Sequence, residues 1–321
     1  MSEVQQTPQL SIIVVSYNTR QMTLDCLASV FAETTVPFEL IVIDNASDDG
    51  SAAAIAEAYP KEIYGNVTLI AETENHGFGP AHRLALAHVT TDWLLLLNPD
   101  TIVLDAALDA LFSFAQRTPN AGIWGGRTLY GDHSLNPTSV FRRMTLWSVV
   151  CRVFGLNVIF AASPFFNSEY FGDWDRGEER AVDIVTGCLL LMNRTLWDDL
   201  NGFDDDFVMY GEEVDLCLRA RALGARPRMT PDATIIHFGG ASQKVRTDKM
   251  VRLMRAKIEL IKRHFPASTR ALGQWMFGLW PLSRGLAWKT LALTGRKEAR
   301  EKSANWMEIW ARRNEWKNGY S

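Results

Sequence analysis

Four short apolar runs, each closed by polar residues and separated from the next by a stretch of helical periodicity, constrain this chain more than any other feature. Leu10 to Ser16 (LSIIVVS), Phe38 to Ile43 (FELIVI, ending at Asp44), Val67 to Ala71 and Trp93 to Leu97 (WLLLL) have the composition of strands buried on both faces. Between the first two, Gln21 to Ala32 sets Leu24, Leu27 and Phe31 at helical spacing. Residues 45–51 then form a polar loop able to cap a helix over Ala52 to Tyr59, and Asn75-His-Gly-Phe-Gly turns into an Ala-rich helix over Pro80 to His88. Asn98-Pro99-Asp100 stops the fourth run, because proline cannot continue a central ladder. Parallel strands need helical crossovers of this kind. The expected fold class is therefore α/β, a mostly parallel open sheet with helices on both faces.

In such sheets ligands sit at the carboxyl ends of the strands. The polar residues there are Ser16, Tyr17 and Asn18, then Asp44 and Asn45, then Asn75, then Asn98 and Asp100, and they are expected to line one crevice. Beyond a helix over Asp105 to Arg117 the regularity fades. Ile123 to Tyr130 and Asp183 to Asn193 read as further strands on either side of an aromatic-rich insertion, and Gly211 to Leu223 reads as a helix with Glu212, Glu213 and Asp215 in its first turn. From Asp248 the chain is helical, basic and Trp-rich. The division expected is residues 1–245 as one large domain, with a nucleotide-binding half (1–130) and an acceptor half (131–245), followed by a helical appendage over 246–321.

Several function classes are excluded on chemical grounds. The net charge of −4, with no dense Lys/Arg block in the first 240 residues, leaves no electrostatic footprint for nucleic acid. Cys26, Cys151, Cys188 and Cys217 are too scattered for a zinc cluster or a disulfide scaffold and read as reduced thiols of a cytoplasmic protein. The opening MSEVQQTPQL lacks the basic-then-apolar pattern of a secretion signal. Leu146 to Phe166, the longest apolar stretch, is broken by Arg152, Asn157 and Pro164; it reads as an amphipathic or interfacial segment rather than a spanning helix. No phosphate-binding Gly-x-x-x-x-Gly-Lys loop, dinucleotide Gly-x-Gly-x-x-Gly or nucleophile-elbow Gly-x-Ser-x-Gly stands where its chemistry requires it.

Three constellations remain. Asp44 and Asp100 each directly follow an apolar strand, where carboxylates can hold a nucleobase and a metal-bound pyrophosphate, or merely cap the next helix. His237 ends a further apolar run beside Phe238-Gly239-Gly240; it is either a structural histidine or a metal ligand, and as a ligand it tilts the preference from magnesium towards manganese. Glu212, Glu213 and Asp215 crowd three acids into one helical turn, which suits a general base with a raised pKa, or a solvated acidic helix start.

The motifs SIIVVSYN, IVIDNASDDGS, ENHGFGPAHRLAL, LLLLNPDT, GCLLLMNRTLWDDLNGFDDDFVMYGEEVDLCLRARALG and IIHFGGAS occur in this order over Leu10 to Ser242. In them the chain resembles the family 2 glycosyltransferases of the GT-A (Rossmann-like) fold, and among those the bacterial rhamnosyltransferase-like members that build cell-surface polysaccharide. The resemblance implies a nucleoside floor of Ser16, Tyr17, Asn18, Asp44 and Asn45, with Asn75 and Arg83 near ribose and phosphates. Asn98-Pro99-Asp100 takes the place of the family's Asp-x-Asp signature, so Asp100 and His237 would hold a divalent cation (Mn2+ or Mg2+), with neutral Asn98 in the first acid's position. Gly187 and Cys188, with Trp197 and Phe203, would border the sugar and acceptor. Glu213 stands where the family's base is the second acid of a Glu-Asp pair, a longer side chain than the usual one; Asp215 is the fallback, with a structural hydrogen-bonding role favoured.

The activity so implied is inverting transfer of a sugar from a nucleotide-diphosphate donor to a hydroxyl of a glycan or lipid-linked acceptor. Deoxythymidine-diphosphate rhamnose (dTDP-rhamnose) is the first expectation for the donor, and uridine-diphosphate (UDP) sugars the next. The rival classes are a nucleotidyltransferase, which would need a glycine-rich basic loop in place of SYNTR after the first strand, and a noncatalytic sugar-nucleotide-binding module. From Trp275 onward, Phe277, Trp280 and Trp288 mix with Arg284, Lys289, Arg296, Lys297 and Arg300, a pattern that fits either a peripheral seat on the inner face of an anionic membrane or a helical cap packed on the core.

Overall fold

The computed structural model describes residues 7–207, 209–239 and 246–320. Val208 and Gly240, Ala241 and Ser242 of the motifs above lie outside the described residues, as do the first six residues of the opening segment. Eleven strands are described: β1 Leu10–Ser16, β2 Phe38–Asp44, β3 Val67–Ala71, β4 Trp93–Leu97, β5 Thr101–Val103, β6 Ile123–Leu129, β7 Val140–Phe141, β8 Arg180–Ala181, β9 Ile184–Val185, β10 Leu189–Asn193 and β11 Arg228–His237. The helices are α1 Arg20–Glu33, α2 Ser51–Ala58, α3 Phe78–Leu86, α4 Ala107–Arg117, α5 Leu146–Phe154, α6 Leu156–Ile159, α7 Arg194–Asp199, α8 Glu212–Ala222, α9 Arg246–His264, α10 Ala267–Gly278, α11 Trp280–Ala292 and α12 Lys297–Ala311.

The chain forms two compact units. The first, over 7–141, 175–207 and 212–239, holds one large sheet in the order β3-β2-β1-β4-β10-β6-β11-β5, with β8 on β11 and a separate β7-β9 pair. β3, β2, β1 and β4 are parallel, with Ser16 beside Asp44 and Val14 beside Leu97, so the polar residues that follow these strands lie along one edge. The burial explains the composition: Ile12, Ile13, Val14, Leu40, Val42 and Leu94 to Leu96 are fully enclosed. At about 25 cal/mol per Å2 of apolar surface removed from water, each such side chain contributes roughly 1.5–3 kcal/mol.

The second half of the sheet is mixed. β10 runs antiparallel between β4 and β6, Leu189 pairing with Leu97, which brings the residues preceding β10 to the edge where β4 ends. β11 lies parallel to β6 and antiparallel to β5, with His237 opposite Thr101. β6 is crowded here: a Cβ on Gly125 would lie 2.5 Å from Val185, and one on Gly126 2.1 Å from the Ala233 carbonyl oxygen, so both positions exclude a side chain.

The second unit, over 142–174, 209–211 and 246–320, contains α5, α6 and α9 to α12. Its core gathers Val149, Val153, Met254, Ile258, Ile261, Phe277, Ile309 and Trp316. Among the described residues no helix is long and apolar enough to cross a membrane. Of the C-terminal aromatics, Phe277 is buried and Trp280 packs on Phe277 and Trp306, whereas Trp275 is exposed.

Candidate active site

The carboxyl edge of the parallel strands collects the expected polar residues, and hydrogen bonds knit their loops together. Asn45 is the hub: its amide donates to Asn75 Oδ1 and to the Gly77 carbonyl (both 3.1 Å), and its Oδ1 accepts from the His76 backbone. Gly77 has φ +83° and ψ −178°, a conformation suited to glycine alone, which is why that turn carries one. Asn18, at φ +53°, ties the loop after β1 to the loop after β2, accepting from the Asp48 backbone and donating its own N–H to Ser47 Oγ.

Asp44 is 2% exposed. Oδ2 accepts from the Ser47 backbone, whereas Oδ1 is buried without a hydrogen-bond partner. A buried lone acceptor of this kind is costly unless something completes it. Tyr17 is exposed at the end of the strand beside this carboxylate's, while Ser16 is fully buried with its hydroxyl bonded to Thr23.

A second group forms where β4, β10 and β11 meet. His237 Nε2 lies 3.2 Å from Asp100 Oδ1, and the Asn98 amide lies 3.4 Å from the same nitrogen. Cys188 is buried behind them, its thiol against Thr186 and Thr128, and the Asn98 backbone donates to the Cys188 carbonyl. Burial pulls the His237 pKa down, but the neighbouring Cys188 and the hydrogen bond to Asp100 outweigh it and push it up to about 10. Burial raises the Cys188 thiol in turn, and His237 more than offsets this, so its pKa falls. Gly187 lies against Phe78 at the start of α3 and connects this group to the Asn45–Asn75 loops.

The acids of α8 divide their roles by burial. Glu212 is 6% exposed with Oε2 unpartnered, and its pKa is raised well above the usual range by burial first and by Glu213 second. Glu213 is half-buried. Asp215 is 1% exposed and grips Arg219 at 2.6 Å, and Arg219 also donates to the carbonyls of Leu200 and Gly202. Asp215 is thus engaged in a clamp that ties the helix start to the turn preceding Phe203.

The structure shows the surroundings of Trp197 and Phe203, expected at the sugar border, and of Arg83, expected near ribose and phosphates. Trp197 and Phe203 are each 3% exposed and pack edge to face, with Phe203 further enclosed by Phe78, His82 and Gly79. Arg83 pairs with Asp205 at the surface, so its guanidinium already has a carboxylate partner. Sequence reading missed His82, a buried ring bonded to the Phe78 carbonyl with its pKa lowered to about 4 by burial, and the Arg219 clamp. Asp-x-x-x-Arg within α8 was the available signal for the clamp.

Among the described residues no cluster of three His, Cys, Asp or Glu side chains is arranged to hold a metal ion. The Asp100–His237 pair supplies two donors of the right chemistry, so it fits a cation that completes its shell with diphosphate oxygens and water.

Comparison with known proteins identifies the family and the fold. The model of glycosyl transferase family 2 matches residues 11–172. An N-acetylglucosaminyl-diphospho-decaprenol L-rhamnosyltransferase of Mycobacterium tuberculosis is 28% identical over 242 residues, 72% of this chain and 76% of that protein. An O-antigen biosynthesis protein of Myxococcus xanthus is 30% identical over 253 residues, 75% of this chain and 18% of its own length. A mannosyltransferase of Pyrobaculum calidifontis, solved in complex with GDP-Man and Mn2+, has a TM-score of 0.60 at 19% identity, covering 97% of this chain and 88% of that one. That likeness identifies the GT-A fold. With the motifs, the strand-edge geometry and the family match in agreement, the chain belongs to family 2 of the glycosyltransferases.

Proposed function

We propose that this glycosyltransferase moves L-rhamnose, with inversion, from dTDP-rhamnose to a hydroxyl of a lipid-linked or glycan acceptor in polysaccharide synthesis, in a reaction that needs Mn2+ or Mg2+. The observation that carries the reading is the Asp100–His237 pair, 3.2 Å apart at the sheet edge that also bears Asp44 and Asn45. The named activity of the M. tuberculosis relative supports the rhamnosyl donor and the lipid-linked acceptor, and the Mn2+ in the P. calidifontis structure supports the cation.

Asp44 receives the base, its unpartnered Oδ1 accepting the N–H of a thymine or uracil ring. Asn45, Asn75 and the loop they brace hold the ribose side, and Tyr17 offers a ring face to the base. Asp100 and His237 would hold the cation, which would supply neutralisation of the charge developing on the departing diphosphate. Asn98 orients His237, and being neutral it leaves the pair less acidic than two aspartates would be. Glu213 takes the acceptor proton as the new bond forms on the face opposite the leaving group, and buried, protonated Glu212 keeps negative charge from accumulating beside it.

A peripheral place on the cytoplasmic face of a membrane goes with a lipid-linked acceptor. The test is a thermal-shift screen of dTDP-rhamnose, UDP-sugars and GDP-mannose with and without Mn2+, followed by a donor-turnover assay of the best binder. Stabilisation by dTDP-rhamnose that depends on Mn2+ is expected; stabilisation by GDP-mannose alone would overturn the donor assignment.

A further inference from the structure

The segment 146–166 has two apolar faces where the fold uses one. α5 turns Val149 and Val153 into the core of the second unit. It is fixed there by the buried Arg152–Glu169 pair (2.6 Å), with Lys257 as a further partner of Glu169. The opposite side is open to solvent: Trp147 is 38% exposed, Phe154 67%, Val158 63%, Ile159 69%, Phe160 46% and Phe165 60%. α6 buries none of its residues, and no charged residue occurs from Val153 to Ser168. Trp147 packs on Phe165 (4.8 Å between ring centroids) and Phe160 stacks on Phe166 (4.7 Å), so the surface is a packed aromatic knob. A patch of this density on a water-facing surface marks a binding face.

Charge identifies the occupant. Residues 246–321 contain seventeen Lys and Arg against six Asp and Glu, a formal +11 within a chain of net −4. α11 adjoins the knob through Arg284, which donates to the Arg152 carbonyl at 3.1 Å and lies against Gly155. Past that contact α11 presents Lys289, the turn after it Arg296, and the first turn of α12 Lys297 and Arg300, all exposed and without an ion pair among the described residues. Leu286, Leu291 and Leu293 are exposed between them, Leu293 at 85%. A second copy of the chain would bring the same positive surface against this one, and like charges oppose that contact. An uncharged aromatic knob beside free cations and leucines is complementary to a lipid bilayer, with rings in the interfacial zone and cations on phosphates.

We propose that the 146–166 knob and the cationic corner between α11 and α12 form a monotopic seat for a bilayer containing anionic lipid. The seat deepens the membrane reading given under Proposed function and rests on it, but its test needs neither donor nor acceptor. Full-length protein is floated with vesicles of phosphatidylcholine alone or of equimolar phosphatidylcholine and phosphatidylglycerol. Binding to the mixed vesicles that exceeds binding to phosphatidylcholine by roughly tenfold or more and falls with salt is expected. The triple variant Phe154→Ser/Ile159→Ser/Phe160→Ser, which removes only exposed side chains, is expected to lose flotation at an unchanged unfolding temperature. Lys289→Glu/Lys297→Glu/Arg300→Glu is expected to lose the preference for phosphatidylglycerol. Wild-type protein that stays with the soluble fraction, or a Ser variant that floats undiminished, would overturn the seat, as would a wild-type oligomer that the Ser substitutions convert to monomer. Loss of the dTDP-rhamnose thermal shift would count against the donor reading alone.

Discussion

His237 Nε2 stands 3.2 Å from Asp100 Oδ1, although 137 positions separate the two residues, because β11 and β5 pair antiparallel with His237 opposite Thr101. The pair joins one hard oxygen donor to one imidazole, the two groups proposed to hold the cation. Asp100→Ala and His237→Ala are each expected to lower rhamnosyl transfer by about 100-fold or more, because the stabilisation of the leaving diphosphate is worth several kcal/mol. Chelation should reduce the wild type to the same level and added Mn2+ should restore only the wild type. Equal rates with and without chelator would remove the cation from the reaction.

Glu213→Gln preserves shape and removes the proposed base. Transfer is expected to fall by about 10²–10⁴-fold, the usual contribution of general acid–base catalysis, with the thermal shift given by dTDP unchanged. Full turnover in this variant would transfer the role to another acid.

Glu212 carries a pH signature. Its pKa in the fold is raised by burial and by Glu213, so the native state favours the protonated form. That stability is complete below the ordinary glutamate pKa and is lost as pH rises through the raised value. Glu212→Gln, which cannot ionise, is therefore expected to match the wild type in urea unfolding near about pH 4 and to be the more stable protein at neutral pH, with the gap widening between. A gap that shrinks with rising pH would contradict the burial of this carboxyl.

Asp44→Ala should weaken nucleotide binding by roughly tenfold, the loss of one hydrogen bond to a buried acceptor, and should do so equally for dTDP and UDP, which offer the same ring N–H. Titration calorimetry with both nucleotides checks it; a selective loss of one would place the contact on a group that distinguishes them.

Gly126→Ala is expected to destabilise the fold by about 1–3 kcal/mol, because the added carbon must displace the backbone at Ala233 or strain β6. A chemical-denaturation midpoint equal to that of the wild type would mean that β11 yields at no cost.

The parallel half of the sheet was legible because β1 and β4 are enclosed along almost their whole length, and burial on both faces leaves an uninterrupted apolar record, while the edge strand β3, only partly buried, was legible from its short apolar run; β1, β3 and β4 fall where LSIIVVS, VTLIA and WLLLL lie. β5 was not foreseen. Its three residues carry no periodicity, and its existence depends on β11, far along the chain. The run Asp183 to Asn193, read as one strand, divides into β9 and β10 around Thr186-Gly187-Cys188, where the chain leaves one sheet for the other. At the site, strand-end residues could be listed from sequence, but the partners that decide their state could not: Asp205 on Arg83, the Leu200 and Gly202 carbonyls on Arg219 and Cys188 beside His237 are all tertiary facts. The same limit applies to 146–166, whose amphipathic character is local but whose open outer face depends on how much apolar surface the neighbouring helices leave uncovered.

The position of β10 between β4 and β6 governs the order in which the molecule can be assembled. A chain emerging from the ribosome can pair β1, β2, β3 and β4 as soon as Leu97 is out, but the neighbour of β4 on the far side is not made until Asn193, and β5 waits for the segment ending at His237. Until then the fourth strand has an open hydrogen-bonding edge, the form most prone to wrong partners. Nascent chains truncated between these points should therefore depend on chaperones, and catalytic competence should arrive in a single late step once β11 closes the sheet.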